Sequence, residues 1–149
     1  MDPTEVLLDD VVVNTNALVL RHIASLDLSG VELRILLWLM SSMNADGTVL
    51  ATREDIASLF DVGDTYVSKV TTKLKNHGLA WREDHQHIRV NPHFAGRGSH
   101  EAWLRTADAL PADAPQIMVK SDLLSTTQPQ SRPSKPARRK RHLRVVRPT

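Results

Sequence analysis

The sequence contains no cysteine, which excludes disulfide cross-links and thiolate chemistry and fits a reducing, cytoplasmic setting. Long apolar runs are missing too: the longest, Ile35 to Met40, is far short of the roughly 20 residues that a bilayer-crossing helix needs. The first residues include acids where a secretory leader would carry bases, so no membrane association is expected. The chain has no HExxH, no GxSxG, no Walker phosphate loop and no glycine-rich nucleotide fingerprint. Nothing therefore argues for an enzyme, and no cofactor is implied. Acidic residues vanish towards the C-terminus, since all 17 Asp and Glu lie at or before Asp122.

That last absence divides the chain. Up to residue 130 there are 11 Lys and Arg against the 17 acids, a balance of −6, whereas the remainder carries 8 Lys and Arg and no acid, a balance of +8. A length of 149 residues suits one domain and a tail. An acidic body can meet phosphates only through a local basic patch. The tail segment PARRKRHLRVVRP can neutralise phosphates without sequence preference, fold back on the acidic body, or remain a solvated low-complexity end.

Along the chain, Val11, Val12 and Val13 suggest a strand, and Val19, Leu20, Ile23 and Leu26 a helix after it. Ser29 and Glu32 have the spacing of a capping box ahead of Leu33, Leu36, Leu37 and Met40, predicting a helix from about Gly30 to Met43. Asn44 to Gly47 reads as a turn and Val49 to Ala51 as a short strand. Thr52 with Asp55 caps a further helix whose inward positions are expected at Ile56, Ala57, Leu59 and Phe60. Gly63 is taken to relax the turn after it, and Asp64 to cap the next helix. In that helix Val67, Val70 and Leu74 share one face, and Gly78 stands at the C-cap. LAWRED and HIRVN then form a β-hairpin with Trp81, Ile88 and Val90 inward. Residues 100 to 107 can be helical around Trp103 and Leu104, and Pro111 and Pro115 mark a linker.

Two short helices at a tight turn, followed at once by a hairpin, give the order of a winged helix-turn-helix. The second helix of that motif lies in the major groove of double-stranded DNA. Opposite the Val67, Val70 and Leu74 stripe stand Thr65, Lys69, Thr72, Lys73 and Asn76, with Tyr66 flanking them, all able to reach bases or phosphates. Arg82, His87 and Arg89 project from the hairpin and are candidate wing contacts. His85, His87, His93 and His100 raise a metal reading, which the lack of a Cys partner and of ligand spacing sets aside. The expectation is a mainly α fold with a small β-hairpin, in which residues 1–107 form a winged helix-turn-helix and residues 108–149 a disordered linker and basic tail. Residues 5 to 26 offer a possible homodimer interface.

The stretches ILLWLMSSM, TREDIASLFDVGDTYVSKVTTKLKNHGLAW and HIRVNPHFAGRG, in that order, resemble the winged-helix plasmid replication proteins of the RepL type. The resemblance covers about half the chain, from Leu26 to Gly98. It implies binding at a replicon's origin, with recruitment of host replication machinery and the Thr65 to His77 helix as reader. Gly63 stands where the family usually has a serine, and the Pro-rich basic extension has no counterpart. Over the two helices alone the chain is similar to MarR-like transcriptional regulators. A winged helix serving as a protein-interaction module is the alternative from another class.

Overall fold

Four polar side chains set where helices begin. Asn16, Ser29, Thr52 and Ser99 each accept a hydrogen bond from a backbone N–H two or three residues ahead, satisfying donors that a helix leaves open at its first turn. In the computed structural model, which describes residues 12–119, these caps open α1 (Ala17–Ser25), α2 (Gly30–Ser42), α3 (Arg53–Phe60) and α5 (His100–Asp108). At Thr52 the box is reciprocal, because Asp55 N–H donates to Thr52 Oγ1 at 3.2 Å while Thr52 N–H donates to Asp55 Oδ2 at 2.9 Å. The fifth helix, α4 (Asp64–Asn76), follows Gly63, which has no side chain to cap it.

Five strands accompany the helices: β1 (Val13–Thr15), β2 (Thr48–Leu50), β3 (Ala80–Arg82), β4 (His87–Val90) and β5 (Ala95–Arg97). The described residues are thus a mixed α/β fold with small antiparallel sheets and a β-hairpin. Residues 1–11 and 120–149, and with them Val11 and the expected disordered basic tail, lie outside the described residues.

The hairpin forms where the sequence places it, with Trp81, Ile88 and Val90 buried. It is wider than a hairpin alone, because β2 adds to the far side of β4 in the order β2-β4-β3. That strand runs Thr48–Leu50 rather than Val49 to Ala51, with Leu50 opposite His87. Asp84 closes the hairpin turn by accepting the N–H groups of Gln86 and His87 at 2.8 Å each. A second sheet pairs β1 with β5, which the sequence did not suggest, and Asn14 Nδ2 secures it by donating to the Gly98 carbonyl at 2.8 Å.

The turn between α3 and α4 differs from expectation in mechanism. Its left-handed residue is Asp61, at φ 52° and ψ 53°, whose N–H donates to the Ala57 carbonyl. Gly63 sits at an ordinary φ of −77° in extended backbone, so the glycine is not what lets the chain reverse. Asp64 is the first residue of α4 rather than its cap, a position in the first turn where a carboxylate favours the helix dipole. Of the four expected inward positions on α3, Ile56 and Ala57 are buried and Phe60 half-buried under an edge contact with Trp38, but Leu59 is 55% exposed. At about 100° per residue, a helix that turns 56, 57 and 60 inward must turn 59 out. The same geometry on α2 buries Ile35, Leu36, Leu39 and Met40 and leaves Leu33 and Leu37 exposed.

The stretch NPHFAGRG does architectural duty. Asn91 is buried and donates from Nδ2 to the Gly78 carbonyl at 2.8 Å, while its Oδ1 accepts the His93 N–H at 2.9 Å. Phe94 is fully buried, and Gly96 leaves room for the Trp103 indole of α5, whose Nε1 donates to the Pro92 carbonyl at 2.5 Å. After α5 the chain does not leave the domain at once. Ile117 packs on the core and the Pro115 carbonyl accepts from Asn91 Nδ2 at 3.3 Å. Gln116 lies against Gly78, at φ +71°, so closely that any β-carbon there would meet its backbone.

Gly78 therefore answers two demands, a left-handed backbone and the close approach of Gln116. Gly78→Ala is expected to lower stability by about 1–3 kcal/mol in chemical denaturation, whereas Asp61→Gly, which relieves a left-handed side chain, changes it by under about 1 kcal/mol. A Gly78→Ala protein as stable as the parent would contradict the close approach.

Candidate nucleic-acid interface

On α4 the apolar residues Val67, Val70 and Leu74 are buried, which fixes the rotation of the helix about its axis. The face left outward carries Thr65, Lys69, Thr72 and Asn76, all exposed, and Ser68 and Lys73, both half-buried. These six residues line an open depression of about 370 Å³. Ser68 was not singled out in the sequence, although it sits within one turn of both Thr65 and Thr72 and the helical period alone places it on that face. Tyr66 flanks the depression, with its hydroxyl 3.2 Å from Ser29 Oγ at the start of α2.

Lys73 is held in place. Its ammonium lies 2.8 Å from Glu32 Oε2 and donates to the Asp27 carbonyl at 2.6 Å, tying α4 to the first turn of α2. Burial pushes the Glu32 carboxyl up, but the Lys73 ammonium and hydrogen bonds from Ser29 outweigh it and hold Glu32 below the ordinary value of 4.5. Lys69 is exposed and, among the described residues, forms no ion pair.

The three hairpin candidates are brought together with one another but are engaged inside the fold. Arg82 donates from Nη1 to the carbonyls of Ala51 at 3.1 Å, Asp84 at 3.3 Å and His85 at 3.1 Å, pinning the hairpin turn to the end of β2. His87 Nδ1 lies 2.9 Å from Asp84, and the turn N–H groups together with His87 hold that carboxyl below its usual range. Arg89 pairs with Glu83 across the hairpin and donates from Nη1 to the Asp46 carbonyl at 2.9 Å. The hairpin is thus a braced flap whose cations already have partners. Among the described residues no three His, Asp or Glu side chains are grouped as a metal ion would require, and no helix is long and apolar enough to cross a membrane.

The Lys73 and Glu32 pair has a pH signature. Because the folded Glu32 carboxyl titrates below its unfolded value, the pair contributes stability that is present above about 4.5 and is lost as pH falls through the folded value. Lys73 is 37% exposed, so screening limits the contribution to about 1 kcal/mol. Lys73→Met should lower stability by that amount at pH 7 and by less at pH 3, read by urea denaturation at both. An equal loss at the two pH values would show that the pair is not the cause.

No family model, curated protein or solved structure matches the chain.

Proposed function

We propose that this chain is a sequence-specific, non-catalytic double-stranded DNA-binding protein of the winged helix-turn-helix kind, with α3 and α4 as the helical pair and β3 and β4 as the wing. The observation that carries the reading is the outward face of α4. A helix with one side buried and the other lined by hydroxyls, an amide and an ammonium around an open depression has the chemistry that the major groove requires. Asn76 can bond an adenine edge in bidentate fashion, Thr65, Ser68 and Thr72 can bond base edges or phosphates, and Lys69 supplies charge. Lys73 acts chiefly as the brace that orients α4 on α2. The wing serves as a rigid support, since Arg89 and His87 would have to leave Glu83 and Asp84 to contact a phosphate.

Within this reading, binding at a replication origin rests on the resemblance to RepL-type proteins, and binding at an operator on the resemblance to MarR-like regulators. The inward pairing of the wing cations favours a further reading, a protein-interaction module, because it weakens the phosphate attraction of the domain.

Selection of fragments from mixed chromosomal and plasmid DNA separates these. Retention of an iterated site in a replication region supports origin binding, a promoter operator supports the regulator, and no retained DNA supports the interaction module. With the selected site, Lys69→Ala combined with Asn76→Ala should weaken binding by about 2–4 kcal/mol, roughly 30- to 1000-fold, with an unchanged thermal melt. Affinity equal to that of the parent would remove α4 as the reader.

A further inference from the structure

Charge is distributed unevenly along α4. Its first turn holds Asp64 and the turn before it Asp61, both exposed, while its exposed cations, Lys69 and Lys75, come in the middle and at the end. The start of a helix carries about half a positive charge and is ordinarily where a phosphate is drawn. Gly63 leaves this start without a side-chain cap, yet the two whole negative charges on either side of it exceed the half charge of the dipole and turn a phosphate away. The other end works in reverse. There the ammonium of Lys75 outweighs about half a negative charge from the last carbonyls and leaves a phosphate attracted.

The two sides of the helix differ as well. At about 100° per residue, Thr65, Lys69, Thr72 and Asn76 fall within about 40° of one line down α4, with Ser68 and Lys75 about 60–80° to one side and Lys73 and Tyr66 about 80–100° to the other. The side of Tyr66 and Lys73 is closed against α2: the Tyr66 hydroxyl lies 3.2 Å from Ser29 Oγ, Lys73 is bonded to Glu32 and to the Asp27 carbonyl, and Asp27 and Glu32 bring two acids there. Lys75 stands on the open side, where one of the two phosphate strands that bound a major groove would pass. Asp64 falls on that side too, but roughly 16 Å back along the axis, about twice the roughly 8 Å over which physiological salt screens charge. A duplex lying along α4 is therefore drawn in at one end and held off at the other.

We infer that double-stranded DNA docks on the C-terminal half of α4, residues 69–76, with Lys75 on a phosphate and Thr72 and Asn76 on base edges, while Thr65 stands away from the groove. This reverses the ordinary helix-turn-helix arrangement, in which the first residues of the reader make the base contacts. It makes adenine, the base whose edge an asparagine matches, the one chosen at the end of α4. The inference rests on α4 being the reader, and it adds to the contact residues Lys75, which does not line the outward depression.

The test selects a site from randomised duplexes with the full chain and measures affinity for it by fluorescence anisotropy over a series of NaCl concentrations, the thermal melt confirming that each variant is folded. Lys75→Ala should weaken binding about threefold or more and lower the slope of log affinity against log salt by about 0.9, the share of one phosphate, while Lys75→Arg keeps the parent slope. Asn76→Ala should cost about tenfold and relax the choice of one base pair, and Thr65→Ala should stay within about twofold of the parent. An unchanged slope in Lys75→Ala, or a loss of about tenfold in Thr65→Ala, overturns the inference. Where Thr65→Ala or Asn76→Ala then still loses affinity, α4 remains the reader and only its docking is wrong. Parent affinity in all three Ala variants, or no duplex selected by the parent, overturns the inference and the reader together.

Discussion

Burial of Val67, Val70 and Leu74 fixes almost everything else about this molecule. Each of these side chains contributes on the order of 1.5–3 kcal/mol by leaving water. Their shared face admits only one rotation of α4 against α3 and β3, with which the helix packs. Once that rotation is set, Thr65, Ser68, Lys69, Thr72 and Asn76 have nowhere to point but outward. The depression they line results from a core decision taken on the other side of the helix.

Around this helix, charge is used for bracing. Lys73 joins α4 to α2, Arg82 joins the hairpin turn to β2, and Arg89 with Glu83 stiffens the hairpin itself. Lys73 and Glu83 stay partly exposed and keep much of their hydration, whereas Glu32 and Arg82 are more covered and their burial is offset by the partners they bond. The result is a set of elements held at defined angles by contacts each worth little alone. Such bracing suits a surface that has to match a fixed partner geometry, as the proposed binding to DNA demands.

The parts of this arrangement that sequence reveals are those with a local cause. The caps at Ser29 and Thr52, the stripe on α4, the glycine after it and the hairpin residues Trp81, Ile88 and Val90 each follow from spacing within a few residues. What the sequence hides depends on partners far along the chain. β1 meets β5 across some eighty residues, and Lys73 meets a carboxylate on α2; no periodicity encodes either. The outward Leu59 and the left-handed Asp61 were hidden for another reason. An eight-residue helix offers too few turns for its apolar face to be read, and the nearby Gly63 draws to itself a conformational role that an aspartate fills. The residues NPHFAGRG enter the sequence reading only as part of a family resemblance, whereas in space they lodge Asn91 and Phe94 in the interior and seat Trp103.

The crossing of Gln116 over Gly78 bears on where this protein can be cut. A fragment ending at α5 would look reasonable from helix boundaries alone. It would lose the carbonyl that Asn91 shares and the isoleucine that packs on the core, and would open a glycine-floored cleft to solvent. Packing within the described residues therefore runs on to Ile117, and versions ending at α5 would begin life with a hole beside their principal helix.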